Sequence, residues 1–451
     1  MFGGAKLAEQ PALLRDLFDA RSLTDTLFEV VRSDALYERP IAERHRLIFY
    51  LGHLEAFDWN LLRQQSSALH SFHPAFDQLF AFGIDPVDGG LPNDQPHDWP
   101  SIAEIQRYNQ RVRREIDTFL ESEGLTDQRA LATPANTLLH VAIEHRLMHA
   151  ETIAYLLHCM PYGQKHSRPQ AAVASKPAVV NQAMLAIPAG HATLGLPRNQ
   201  HGVFGWDNEF EVQQVHVPQF LVDKFMVTNA DFLNFLNAGA YHDRNLWRDS
   251  DWRWIQSQQI RHPAFWRNQG SEWFYRGMFE EVPLPLDWPV YVSYAEAAAY
   301  ARWAGKSLPT EAQWHRAAYG DRRGLDREFP WGDDSRIESK GNFHFTRWDP
   351  APVTAYRENV SAFGAVGMLG NGWEWCSTEF APFLGFQAFP FYPGYSANFF
   401  DGQHFVLKGG SSRTAAPLLR RSFRNWFQAH YQYAYTGFRC VKNPEDRRPA
   451  C

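Results

Sequence analysis

Apolar residues recur at intervals of three and four along the first third of the chain, the spacing of helices that bury one face. The stretch "DALYERPIAERHRLIFYLGHLEAFDWNLLRQQ" (34–65) shows it, with Pro40 near its start. "WPSIAEIQRYNQRVRREIDTFLES" (99–122) repeats it, with Pro100 and Ser101 as a start signal. "TPANTLLHVAIEHRLMHAETIAYLLHCMP" (133–161) is a third helix, closed by Pro161, and roughly residues 10–34 form an opening one. Four helices with medium loops predict a bundle over residues 1–162. Residues 163–182, "GQKHSRPQAAVASKPAVVNQ", lose all periodicity and read as a linker.

From 183 to 451 the pattern changes. Short strand-like runs such as "AMLAIPAGHATLG", "EVQQVHVPQFLVDKFMVT" and "HFVLKGGSS" are punctuated by Gly and Pro. Two helices are expected, in "NADFLNFLNAG" and "YAEAAAYARWAG", and the remainder reads as aromatic loop. The expectation is an α+β, multidomain protein, a helical bundle followed by a loop-rich fold.

Composition sharpens this picture. At 451 residues the chain is too long for one core. Aromatics make up 15%, with 16 Trp, which suits a domain whose core is filled by large flat side chains rather than by regular structure. Apolar residues at 45% and charged ones at 21% describe a soluble globular chain, and no run is long enough for a membrane helix. A net charge of −6 without a basic block argues against nucleic acid as a partner. Cys159, Cys376, Cys440 and Cys451 are scattered, and no basic start leads into an apolar run, so no signal peptide and a reducing cytoplasm are expected. Oligomeric state is left open.

Candidate chemistry begins with "IEHRLMHAETIAYLLH" (143–158). His145 and His149 are four apart and share one helix face. His53 lies among apolar residues of a helix expected in the same bundle. Three imidazoles from two helices form a ligand set for Fe, Zn, Cu or Ni, against the alternative of satisfied core histidines. His45, His70, His73, His140 and His158 are reserves, and His140 faces elsewhere on the helix. Glu55, Asp58, Glu144 and Glu151 are candidates to accept the second ring N–H of the ligands, or else are solvated helix charge.

Further motifs follow in order: "RWAGKSLPTEAQWHRAAYG", "FPWGDD", "GMLGNGWEWCS", "FVLKGGSS" and "RSFRNWF" with "TGFRC". In "GNGWEW", Asn371 and Glu374 offer the oxygen ligands Ca²⁺ prefers, or the motif is a purely structural turn. Over 183–443 these motifs resemble the formylglycine-generating-enzyme/sulfatase-modifying-factor domain, which implies a C-type-lectin-like fold. Cys440 lacks the neighbouring cysteine of the copper enzymes and reads as a small buried residue.

A DinB-like bundle with "HRLMHAET" joined to such a domain resembles the ergothioneine synthase family of non-heme iron sulfoxide synthases. The resemblance implies Fe(II) on His53, His145 and His149. It implies O2 as co-substrate, and hercynine (trimethylhistidine) with a sulfur donor as small-molecule substrates. It implies substrate contacts from Asn425 and Trp426, and a proton-donating role for Tyr392 or Tyr395 in "FYPGYSANFF". Mycobacterial-type members carry Gln where this chain has Met148, and Asp where it has Phe427. The donor is therefore expected to be bound differently, and wording such as "YSANFFDGQHFVLKGGSSRTA" is similar to the selenoneine synthase branch, which uses a selenosugar. Arg111, with Arg113 and Arg114 beside Tyr108, is a candidate for donor binding. Two other classes stay open: a zinc-dependent thiol transferase and a non-catalytic lectin-like binding protein.

Overall fold

The computed structural model describes residues 4–82, 91–121, 133–168, 180–198, 203–337 and 339–443. The chain divides into two compact units, Met1–Arg168 and Pro169–Cys451. Of the expected linker, 169–179 lie outside the described residues. Its first residues belong to the helical unit: Lys165 bridges to Val31, and His166 N–H donates to the Val30 carbonyl at 2.8 Å.

The first unit contains α1 (Gly4–Phe28), α2 (Leu47–Gln65), α3 (Pro74–Phe82), α4 (Ile102–Phe119) and α5 (Ala135–Cys159). α1 lies along α5, and α2 packs on α3, α4 and α5. The start signal before α4 is a capping box: the Glu104 carboxylate accepts from Ser101 N–H at 2.9 Å, and the Ser101 hydroxyl accepts from Glu104 N–H at 3.4 Å. α5 stops two residues before Pro161, as that proline requires. The start of α2 departs from expectation. It begins at Leu47 because the preceding segment wraps around Asp94. Arg46 Nε donates to Asp94 Oδ2 at 2.8 Å, Arg46 Nη1 donates to the Tyr37 carbonyl at 2.7 Å, and Arg39 pairs with the same carboxylate. The nine-residue α3 is an additional helix, too short for its periodicity to stand out.

The second unit is built from many short pieces. Its strands are β1 (Met184–Ile187), β2 (Gly190–Leu194), β3 (Gln213–Val217), β4 (Phe220–Asp223), β5 (Trp266–Gln269) and β6 (Glu272–Arg276). They continue with β7 (Glu281–Pro283), β8 (Gly372–Glu379), β9 (His404–Gly410), β10 (Asn425–Gln428), β11 (Thr436–Gly437) and β12 (Val441–Lys442). Its helices are α6 (Asn229–Asn237), α7 (Asp249–Ser257), α8 (Tyr294–Trp303) and α9 (Glu311–Tyr319). The main sheet runs β10-β9-β8-β11, with β11 parallel to β8. Smaller sheets are β1-β4-β12, β2-β3 and the meander β5-β6-β7.

The expected strands and both expected helices are present, but α7, α9 and the β5–β7 meander lie where aromatic loop was expected. For α9 a local signal existed. The Thr310 hydroxyl caps it by accepting from Gln313 N–H at 3.1 Å, and the Gln313 amide oxygen accepts back from Thr310 N–H at 3.0 Å. The core gathers Trp314 and Ala317 of α9 with Cys376, Phe380, Val406, Ile187 and Val441. Trp206, Trp266, Trp314, Trp373 and Trp375 are all fully buried, which is where the excess of tryptophan goes.

Candidate metal centre

Helix α2 supplies His53, and α5 supplies His145 and His149 one turn apart. One nitrogen from each ring lies within 4.8 Å of the others. Nε2 of His53 and Nε2 of His149 are 3.2 Å apart. Neighbours fix each ring. Phe57 stacks on His145 at 3.4 Å and 10°, Phe49 stacks on His53 at 4.7 Å, and Tyr50 lies 5.5 Å from His149. Phe49, His53 and Phe57 follow one another at four-residue spacing, so α2 presents them as one stripe.

The outer nitrogen of His53 reveals its tautomer. Nδ1 lies 2.6 Å from the Phe80 carbonyl at the end of α3. A carbonyl can only accept, so Nδ1 carries the proton and Nε2 turns a lone pair inward. Burial strongly disfavours charge on all three rings. It lowers His53 to about 4, against the pull of the Phe80 carbonyl. It pushes His145 and His149 well below the usual histidine range, helped by each ring's histidine neighbours. The site is therefore a set of neutral imidazoles with facing nitrogens; His149 is half-buried as a residue, but its Nδ1 is buried without a hydrogen-bond partner among the described residues. Lone pairs at such separation need a shared proton or a cation between them, so the residues fit a divalent transition metal. Three protein ligands leave coordination positions for substrates.

Two of the carboxylates expected to support the ligands, Glu55 and Asp58, pair with arginines instead. Glu55 accepts from Arg146 at 3.0 Å and from Arg113 at 2.6 Å; Asp58 accepts from Arg146 at 2.7 Å. Burial works to raise the Glu55 carboxyl, but Arg146 and Arg113 outweigh it and hold it at about 2. Asp58 is raised by burial despite Arg146. The backbone carbonyl of Phe80, and not Glu55, orients His53. Glu144 is buried and Glu151 half-buried on α5, and Met148 is half-buried immediately before His149. Tyr108 is buried, and its hydroxyl donates to Asp77 at 2.7 Å. Arg111 is exposed, 4.2 Å over the Phe72 ring and 3.6 Å from Glu115. Arg113 is committed to Asp25 and Glu55, and Arg114 is exposed.

In the second unit the residues near the last strands come together. Tyr395 stacks on Trp206 at 3.9 Å and meets the edge of Trp426 at 5.5 Å. Trp426 lies parallel to Phe380 at 4.1 Å, and Tyr392 is 5.6 Å from Tyr395. Asn425 opens β10 opposite Leu407, and its side-chain oxygen accepts from Trp426 N–H at 2.9 Å. Phe427, one residue on, faces the other side of the strand and stacks on Tyr431 at 4.9 Å. Burial and the nearby Asp207 push the Tyr392 phenol up to about 12. Trp206 and Asp207, whose carboxylate accepts from the Ser396 hydroxyl, escaped the sequence reading. "GWDNE" has no periodicity or motif that marks it.

The two residues named for calcium are engaged with protein partners. Asn371, at φ +67°, accepts from Ala351 N–H at 2.8 Å and Asn342 Nδ2 at 3.0 Å, and donates to the Ala351 carbonyl at 2.8 Å. Glu374 accepts from Arg439 at 2.6 and 2.7 Å and from Trp314 Nε1 at 2.9 Å. The Glu374 carboxylate is neutralised by a buried guanidinium and the Asn371 amide is spent on a turn, so neither is offered to a cation. Cys440 is fully buried, and burial raises its thiol well above the usual range, as suits a small packing residue.

Comparison with known families agrees with this division. The sulfatase-modifying factor enzyme 1-like domain matches residues 169–444, and the DinB superfamily matches 17–153. Hercynine oxygenase of Mycobacterium tuberculosis is 38% identical over 235 residues, covering 52% of this chain and 55% of that protein. Hercynine oxygenase of Mycolicibacterium thermoresistibile is 39% identical over 242 residues, covering 52% and 53%. Ergothioneine biosynthesis protein 1 of Neurospora crassa is 28% identical over 505 aligned positions, covering 92% of this chain and 56% of its own length. The chain thus spans little more than half the length of these curated relatives. The chain belongs to the sulfatase-modifying factor enzyme 1-like domain family, with a DinB-superfamily helical domain preceding that domain in sequence.

Proposed function

We propose that this protein is an iron(II)- and O2-dependent enzyme that forms a carbon–sulfur or carbon–selenium bond at the imidazole C2 of hercynine. The observation that carries the reading is the triad of neutral histidines, two buried and one half-buried, with converging ring nitrogens. The relatives named hercynine oxygenase and ergothioneine biosynthesis protein 1 supply the substrate. His53, His145 and His149 would hold the metal. Held there, iron(II) would supply the redox chemistry with O2 that joining a chalcogen to an imidazole carbon requires.

The chain's own groups do the rest. The ring faces of Trp426 and its aromatic neighbours attract a trimethylammonium, which cannot donate a strong hydrogen bond. Tyr392 or Tyr395 is the proton donor, and Tyr392 keeps its proton throughout the neutral range because burial and Asp207 hold its phenol at about 12. The phenyl of Phe427 and the thioether of Met148 offer no charge to an amino-acid donor. The donor is therefore a selenosugar or a cysteine-type thiol bound through other groups. Among the described residues Cys376 and Cys440 are free, buried thiols.

The test is reconstitution with Fe(II), air and hercynine, offering cysteine, γ-glutamylcysteine and a selenosugar in turn, with products read by mass spectrometry. Hercynine left untouched by all three overturns the substrate. Turnover that persists without O2, or with zinc in place of iron, favours a zinc-dependent thiol transferase.

A further inference from the structure

Arg146 stands between the two α5 ligands in sequence, yet its side chain is fully buried and makes no contribution to the ligand set. It points across to α2. Nη2 donates to the Leu54 carbonyl at 3.0 Å, to Glu55 Oε2 at 3.0 Å and to Asp58 Oδ2 at 2.7 Å. Nη1 donates to Glu55 Oε1 at 3.0 Å and reaches Thr24 Oγ1 of α1 at 3.4 Å. The acceptors on α2 begin one residue after His53. One guanidinium therefore ties the helix carrying His145 and His149 to the helix carrying His53.

A charged cluster of this kind is a poor stabiliser. Removing three charges from water costs about as much as their mutual attraction returns, and apolar side chains of similar volume often do as well. What a rigid five-donor fork does better than an apolar contact is define one register. Apolar helix faces tolerate a slip, and a slip by one residue moves a side chain by about 1.5 Å along the axis and about 100° around it. That displacement would carry His53 Nε2 out of range of His149 Nε2.

We propose that Arg146 is a positioning residue for the metal centre: with Glu55 and Asp58 it sets the register of α2 against α5 and so assembles the three-histidine site. The inference rests on the triad being a metal site.

The test replaces the clamp without leaving buried charge, in the triple variant Arg146→Met, Glu55→Gln, Asp58→Leu. The amide introduced at position 55 retains an acceptor for Arg113, which keeps Asp25. Co(II) serves as the probe, with affinity measured by chelator competition and coordination by the visible spectrum. The triple variant is expected to unfold at a temperature no lower than the parent, yet to bind Co(II) roughly 10- to 100-fold more weakly with an altered spectrum. Asp58→Asn alone, which keeps the volume, carries the same test more gently and is expected to lose several-fold in affinity. Parent-like affinity and spectrum in both variants overturn the positioning role while leaving the metal reading intact. A parent that binds no Co(II) overturns the metal reading and this inference with it.

Discussion

Replacing Glu374 by Gln separates the two roles this residue has been given. The substitution keeps the shape and removes one charge. In the parent, the carboxylate takes two hydrogen bonds from Arg439 at 2.6 and 2.7 Å and one from Trp314 at 2.9 Å, with Arg439 and Glu374 both essentially inaccessible. In the variant an amide NH2 must face one of these donors, and the Arg439 charge keeps one neutral amide oxygen with the carbonyls of Asp223, Lys224 and Val366 but no anion. Breaking a buried pair from one side costs about 3–5 kcal/mol. For a domain of this size that corresponds to a fall in Tm of roughly 6–20 °C. Denaturant unfolding with and without millimolar Ca²⁺ measures it, and the loss should be the same in both. A loss below about 1 kcal/mol refutes the ion-pair account. A loss that appears only when Ca²⁺ is present shows that Glu374 is a cation ligand after all. Changing Arg439 to Met and Glu374 to Leu together should recover most of the stability, because no charge is then left unpaired.

Other expectations follow from the metal centre and the aromatic cluster. Gly52→Ala would drive a Cβ into the Phe80 ring, whose residue's carbonyl orients His53; a stability loss of about 1–3 kcal/mol and weakened Co(II) binding are expected, and unchanged affinity would show that Phe80 is dispensable. His149→Ala should abolish stoichiometric metal in the purified protein, read by elemental analysis, while leaving the helical circular dichroism intact. Acid should destabilise the metal-free protein: His53 sits at about 4 when folded and near 6.5 when unfolded, so the unfolded chain takes up the proton first. Stability is then full above about pH 6.5 and falls towards pH 4, His53 alone removing roughly 1–1.5 kcal/mol between pH 7.5 and 5.5; urea titrations at the two pH values measure this, and His53→Phe should flatten the slope. Trp426→Phe keeps a ring beside Phe380 but weakens attraction for a cation, so the KM for hercynine should rise about 2- to 30-fold with little change in kcat; an unchanged KM would remove Trp426 from substrate recognition.

Much of the helical unit could be read directly because its signals are local. The Ser101–Glu104 box and the Pro161 stop each involve residues within a few positions of one another. The start of α2 is not legible in this way because distant residues decide it. Asp94, nearly fifty residues downstream, draws Arg46 and Tyr37 into a wrap that a helix beginning near Pro40 would forbid. In the second unit short strands gave themselves away by alternation, but α7 and the β5–β7 meander did not. Their aromatic residues satisfy helix, strand and loop patterns about equally, and burial against neighbours makes the choice.

The sequence by itself determined that His145 and His149 share a helix face, that a third histidine lies on another apolar helix, and that two domains of different grammar follow one another. Tertiary structure alone decided what surrounds those residues. It assigned His53's outer nitrogen to a backbone carbonyl, turned Glu55 and Asp58 to Arg146, and locked Glu374 onto Arg439 instead of leaving it for calcium. The physical reason is one of range. Periodicity along a helix is set by bonds between near neighbours, whereas the partner of a buried charge is whichever opposite charge the folded chain brings within about 3 Å, however far away it lies in sequence.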